Sequence, residues 1–359
     1  MSTPADGTMI RLPAASLERA AAAVLGALGV PDEDAHATAA VFVGADAAGE
    51  PSHGLRLFVT VCARIEAGGH NPVTRVEVER DRGAIAVWSA HRSLGQAVAT
   101  RAMDAAIAKA RDFGLGMVAV RDATSLTSAK HYALRAAEAG CIGIVHTNAS
   151  RKVMPPPGGT SPVMGNNPLA MAAPAGRFGT ICLDMAMTEV AIERINMARE
   201  AGAEIPPSWA LGEDGLPTTD PEIAARVMTL LPFGGYKAFG LGLMTEVMTS
   251  VLAGGAVFAG EATGFRPLDA PMHTSFTLTA LDIAAFTTPE DFAARAEEMI
   301  GTLKAATPGE DGGEILFPGE RSARRARESL RDGVPLARGT LADVNELCNR
   351  LGVVPPGED

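Results

Sequence analysis

Aromatic residues are scarce in this chain: Phe, Trp and Tyr make up only 4% of its 359 residues. Its cores must therefore be filled by alanine, aliphatic side chains and methionine. The four cysteines (Cys62, Cys141, Cys182, Cys348) stand far apart and form no CxxC pair. That excludes a zinc ribbon or finger, and the thiols read as small core residues in a reducing compartment. Positive charge is not in excess. A net charge of −11 without a basic stripe argues against nucleic acid as a partner. An anionic cofactor stays compatible, because amide nests and a few local cations suffice to hold one. No apolar run reaches membrane length, since "VMTSVLAGGAVFAG" (247–260) is too short and too glycine-rich. The opening "MSTPADGTMIRLP" lacks the charged start and apolar run of a leader, so a cytoplasmic location is expected. There is no HxxxH motif and no carboxylate cluster, and no metal is expected. No GxGxxG opens a helix after a strand. "GLGLMT" (240–245) comes nearest and lacks the third glycine, which leaves a Rossmann fold without support.

Strands and helices mix along the chain, which points to an α/β or α+β protein. Two helices fill 16–50, with Ser16 as the N-cap of the first and Pro31-Asp32 opening the second. Helical pattern continues over 52–67 to Gly68-Gly69. Strands are expected at 83–90, 115–122, 141–149, 180–187 and 274–283. Helices are expected at 95–114, 129–140, 190–202, 243–257, 289–306, 321–333 and 341–352. Residues 150–176 read as an irregular, Pro- and Gly-rich stretch whose apolar beads argue against disorder, and 206–221 as a loop.

Several stretches carry chemistry. In "GEPSHGLRLF" (49–58), His53 has the one side chain type that titrates near neutrality, as a proton donor requires. By itself it also reads as a histidine ending a helix, held by backbone carbonyls. The loops "PPPGG" (155–159), "MGNNP" (164–168) and "FGGYKAFG" (233–240) offer backbone N–H groups to phosphates, and each is also ordinary turn chemistry.

Over about residues 10–356 the chain resembles the malate/L-lactate dehydrogenase-like family of NAD(P)-dependent oxidoreductases. That family includes ureidoglycolate, sulfolactate and diketogulonate dehydrogenases and piperideine-2-carboxylate reductases. The resemblance is carried by "SHG" (52–54), "RIEAGGHNP" (64–72), "PPPGGTSPVMGNNPLAMAAP" (155–174), "LDMAMTEVA" (183–191), "LPFGGYKAFGLGLMTEVM" (231–248) and "ILFPGER" (315–321). It implies a non-Rossmann nucleotide-binding domain on a largely antiparallel mixed sheet (81–285). A helical domain drawn from both chain ends (9–80 and 286–359) goes with it. It also implies a homodimer, with NADPH or NADH as cofactor. His53 is implied as proton donor, with Ser52 beside it touching substrate. Cofactor contacts are implied for Gly158, Gly159, Asn166, Asn167, Asp184, Met185, Ala186, Tyr236, Lys237, Gly319, Glu320 and Arg321.

Two departures stand out. Many relatives bind a substrate carboxylate with an arginine and a tyrosine at positions that are Leu57 and Val61 here. Arg56 is one residue early, turned about 100° on a helix. A histidine of relatives, in a stretch like "SNHFG", falls on Ser125, which has no useful pKa but can donate a hydrogen bond. His131 is a conceivable substitute, otherwise a helix-face or core residue. The expected function is hydride transfer to or from a C=O or C=N next to a carboxylate, on a 2-keto acid or a cyclic imine. A non-redox enzyme on the same fold (elimination, isomerisation or condensation) is the alternative. A silent binding subunit is disfavoured by the retained SHG and glycine loops.

Overall fold

The computed structural model describes residues 9–258, 265–309 and 312–358. Residues 1–8, within the stretch read for a leader, and 259–260 of the apolar run lie outside them. The chain starts with β1 (Met9–Leu12), α1 (Ala14–Ala27), α2 (Asp32–Ala47) and α3 (Leu55–Glu66). Next come β2 (Glu77–Arg82), β3 (Ile85–Ser89), α4 (Gly95–Phe113), β4 (Leu115–Ala123), α5 (Ala129–Glu138) and β5 (Cys141–Thr147). They are followed by β6 (Leu169–Pro174), β7 (Thr180–Met185), α6 (Ile192–Glu200), β8 (Ala210–Leu211), α7 (Pro221–Val227) and β9 (Thr229–Leu230). The last part holds α8 (Tyr236–Glu246), β10 (Thr274–Asp282), α9 (Pro289–Lys304), α10 (Glu320–Asp332), β11 (Val334–Ala337) and α11 (Arg338–Leu351).

A seven-stranded sheet runs in the order β2-β3-β4-β10-β5-β6-β7. Within it only β3 and β4 pair in parallel, so the sheet is mixed and mostly antiparallel. The register fixes which ends coincide. Val120 faces Phe276, Phe276 faces Thr147, His146 faces Leu169, and Leu169 faces Met185. One edge of the sheet therefore gathers the last residues of β4, β5 and β7 with the first of β6 and β10. Asp184 and the turn leading to α5 lie there.

The small-residue composition becomes close packing. Ala99, Ala102, Ala106 and Ala110 of α4 and Ala133 and Ala136 of α5 are fully buried against the central strands, with Phe276, Leu278 and Tyr132. A second core joins α1, α2, α3 and α11. Phe42 and Phe58 meet edge-on there at 5.5 Å, surrounded by Leu17, Leu25, Val344 and Leu347. β1 pairs with β11, which ties the two ends of the chain into this helical unit. α9 packs elsewhere. Its Ala296 and Ile300 meet Ala175 and Phe317 beside β6 and β7, and β2 belongs to the sheet. A methionine-rich core (Met154, Met164, Met187) with Ile195 and Leu230 orders the stretch expected to be irregular.

Local differences from the sequence reading have physical causes. Ser16 lies inside α1, which starts at Ala14 after Pro13, and accepts from the Gly357 N–H at 2.9 Å. β2 (EVERDR) is an exposed, charged edge strand without an apolar face to reveal it. α8 begins seven residues before the expected 243 and passes into a π-helical turn, Val247–Val251.

Candidate active site

The Ser52-His53-Gly54 stretch is a short 3₁₀ turn, Pro51–His53, between α2 and α3. Asp46, at the end of α2, reaches across it. Its buried carboxylate accepts the Leu55 N–H at 2.7 Å and so caps α3. A Cβ on residue 54 would run into that carboxylate, so only glycine fits. Burial pushes the Asp46 carboxyl up to about 7, against the lowering effect of the Leu55 N–H. The turn presents His53 to solvent while protein crowds round it. Its side chain bonds Ser52 Oγ at 3.0 Å through Nδ1, with no backbone carbonyl as partner among the described residues. Desolvation lowers the His53 pKa, Glu50 raises it and Lys130 lowers it.

Beside this turn opens a cavity of about 480 Å³ between α2, α5, β7 and α10. Lys130, in the first turn of α5, lines it and is only 7% exposed. Its Nζ forms an ion pair with Glu50 and donates to Ser322 Oγ at 2.7 Å. The Lys130 backbone N–H donates to the Asp184 carboxylate. Asp184 borders the cavity with one side open to solvent; protein crowded round its carboxyl and the nearby Glu50 push it up to about 7, against Lys130. His131 borders it too, and burial with Arg135 pushes its pKa down to about 4, which keeps the ring neutral. Arg327 stands on the wall without an ion-pair partner among the described residues.

A second recess of about 440 Å³ adjoins the first and shares Ala48, Glu50, Gly319 and Ser322 with it. Arg321 and Arg325 line it. Its floor is the Phe317–Glu320 turn, which docks on β7 through Cys182 N–H to Pro318 O at 3.0 Å. Gly319 has φ +86, and a Cβ there would sit 2.8 Å from that of Cys182. Both the backbone and the close approach demand glycine. Glu320 turns its carboxylate inward to Lys304 at 2.7 Å, Arg324 at 2.5 Å and the Phe317 N–H at 3.2 Å.

The structure thus brings Asp184 and Gly319 to the cavity, Arg321 to the adjoining recess, and Ser52 and His53 beside them. It does not bring the rest. Val61 is sealed in the helical core, Leu57 packs against it, and Arg56 turns to Glu193 of α6. Ser125 Oγ accepts the Thr127 N–H at 3.2 Å in a local turn. Asn167 is fully buried, bonded to Ala149 N–H, Gly242 O and Glu246. The Asn166 carbonyl accepts the Met187 N–H, and Met185 packs on the methionine core, with Ala186 half-buried beside it. Gly158 and Gly159 form a turn, and Tyr236 and Lys237 open α8 in solvent; none of these four lines the cavity. Glu50, Ser322 and Asp46 were not singled out by sequence. Their partners lie far along the chain or behind the motif, and no local spacing marks them. Among the described residues there is no cluster able to hold a metal, and no helix is long and apolar enough to cross a membrane.

Residues 12–345 match the family described as malate/L-lactate dehydrogenase. The chain belongs to that family. A malate dehydrogenase of Pyrococcus abyssi is 34% identical over 355 residues, 97% of each chain. A 2,3-diketo-L-gulonate reductase of Citrobacter koseri is 30% identical, over 90% of this chain and 96% of its own. The solved sulfolactate dehydrogenase of Methanocaldococcus jannaschii superposes with a TM-score of 0.89 at 34% identity, covering 96% of this chain and 98% of its own. These relatives are dehydrogenases and reductases, and this member of the malate/L-lactate dehydrogenase family is an oxidoreductase of that kind, for which they imply a nicotinamide cofactor.

Proposed function

We propose that the protein is an NAD(P)H-dependent reductase or dehydrogenase acting at a C=O or C=N bond next to a carboxylate. The observation that carries this reading is Asp184, with its carboxyl near 7, on the cavity wall beside Lys130, while His53, backed by Ser52, stands on the turn that follows the wall residue Glu50 without itself lining the cavity. The residues present fit a dinucleotide. Two joined recesses have walls of small residues (Gly49, Ala45, Ala48, Gly319, Ala323), and Arg321 and Arg327 have no protein counter-ion among the described residues. Arg321 and Arg327 would hold its phosphates, Asp184 its polar ring substituents. A bound nicotinamide nucleotide supplies or takes up the hydride.

The remaining chemistry falls to side chains of the chain. Reduction leaves a negative heteroatom that needs a proton. His53 is the donor in this proposal, held by Ser52 Oγ, and Asp184 is a second acid whose value suits work at neutral pH. A homodimer completes the proposal. Its support is an apolar face along α8 and the π turn, where Met244 (56% exposed), Val251 (55%) and Leu252 (53%) meet solvent. The buried, unpaired cysteines suit a reducing cytoplasm.

The test is a titration of NADH and NADPH followed by nicotinamide fluorescence. One of them binds at micromolar concentration, and Arg321→Ala weakens it by roughly tenfold, the worth of a charge-assisted hydrogen bond. Absence of binding by either at millimolar concentration refutes the reading.

A further inference from the structure

Lys130 is a buried cation that the reading above leaves without a ligand. A lysine is almost never buried unless its charge is used. Its ammonium carries three donors. Glu50 and Ser322 Oγ take two, and the third is open to the cavity that Lys130 lines. The positions that in relatives bind a carboxylate offer nothing here: Val61 is buried in the helical core, Leu57 packs on it, and Arg56 is paired with Glu193. Among the residues lining the cavity, the charged cations are Lys130 and Arg327, since burial keeps His131 neutral. Only Lys130 also touches the acid, through its backbone N–H to Asp184.

We infer that Lys130 is the substrate anchor of this cavity, binding the carboxylate next to the reacting carbon, with Ser322 as the residue that positions its ammonium. The inference rests on the proposed hydride-transfer reading. Glu50 is the counter-ion that holds the ammonium in place before a ligand arrives. The charges then set the substrate class. With Arg327 taken up by a cofactor phosphate, as proposed above, Glu50 and Asp184 face Lys130 alone, so that part of the cavity is neutral when Asp184 is protonated and negative when it is not. A monocarboxylate with a neutral or protonated C=N nitrogen, or a neutral C=O, suits this balance. A second carboxylate or a sulfonate would meet Glu50 and Asp184, and like charges held this close repel.

Pyridine-2-carboxylate places a planar C=N next to a carboxylate, and pyridine-2-carboxamide is its uncharged counterpart. Binding of both is measured by calorimetry on the full chain, with and without NADPH. The wild type binds the carboxylate roughly 10- to 100-fold more tightly than the amide, the usual worth of a hydrogen bond to a charged group. Lys130→Met abolishes the difference, and Arg327→Met, compared without nucleotide because that arginine is assigned to its phosphates, keeps it. Ser322→Ala weakens the carboxylate probe several-fold and leaves the amide probe and the melting temperature unchanged. Should Lys130→Met unfold because Glu50 is left unpaired, the Glu50→Gln/Lys130→Met double variant removes both charges and gives the same loss. Discrimination that survives in Lys130→Met, that vanishes in Arg327→Met instead, or that is absent from the wild type overturns the inference. The readout needs no turnover, so failure of the hydride-transfer reading shows separately, in the nucleotide titration.

Discussion

His53 and Asp184 both feel the Glu50–Lys130 pair, one from the turn after Glu50 and the other from the cavity wall, and their environments divide their labour. His53 hangs on a turn braced from behind by Asp46 and Gly54, and its pKa is lowered. Asp184 is the last residue but one of an edge strand, and its carboxyl lies near 7. His53→Asn is expected to reduce turnover by roughly 10²–10⁴ without changing nucleotide affinity. Ser125→Ala costs less, because that hydroxyl is engaged in its own turn. If Asp184 delivers the proton instead, Asp184→Asn shows the larger loss. Reductive kcat/KM of the wild type then falls above about pH 7, as the carboxyl loses its proton. Asp46 gives a separate test, on stability. Folded, it keeps its proton up to about 7; unfolded, it releases it near 3.8. Its stabilising contribution is therefore complete below pH 3.8 and is lost as pH rises toward 7, at about 1.4 kcal/mol per pH unit. Asp46→Asn keeps an acceptor for Leu55 N–H, so its melting temperature should fall less between pH 5 and 8. An equally steep fall would contradict the assignment. At this scale the SHG motif, Asp184 and the PGER turn were legible because each is local. The Glu50–Lys130 pair spans 80 positions, and neither residue announces the other.

Helices with a clear apolar stripe were legible as elements. α2 opens at Pro31-Asp32 and α4 and α5 follow their alanine-rich faces, as the spacing implies. Elements without a stripe were not. β2 is wholly exposed, β6 is built of small residues, and β1 and β11 are four residues each, recognisable only by their mutual pairing. α8 has apolar residues on more than one side, so its start was obscured; one side packs on the methionine core through Ala238, and the other meets solvent. That outer side carries the dimer prediction. Met244→Asp with Val251→Asp should convert a dimer into monomers by analytical ultracentrifugation, with the monomer still folded by circular dichroism. A wild-type monomer, or a dimer indifferent to both changes, would refute it.

At the scale of the molecule, the site stands where separate packing units meet. Glu50 comes from the end of the helical unit, Lys130 and Asp184 from the sheet and its covering helix, and Ser322 and Gly319 from the return of the chain along α10. The mixed sheet was readable from the resemblance, and the absence of a Rossmann motif from the residues themselves. The way α9 settles beside β6 and β7 was not, because its apolar residues say that it packs and not against what. Hydride transfer next to a carboxylate is the central claim, and isotope transfer tests it most directly. NADH or NADPH deuterated at C4 on either face is incubated with the protein and with 2-keto acids and cyclic imino acids, and the products are read by mass spectrometry. The expected result is one deuterium on the carbon next to the carboxylate, from one face of one nucleotide. Nucleotide that binds but gives no label to any acid of the series would contradict it.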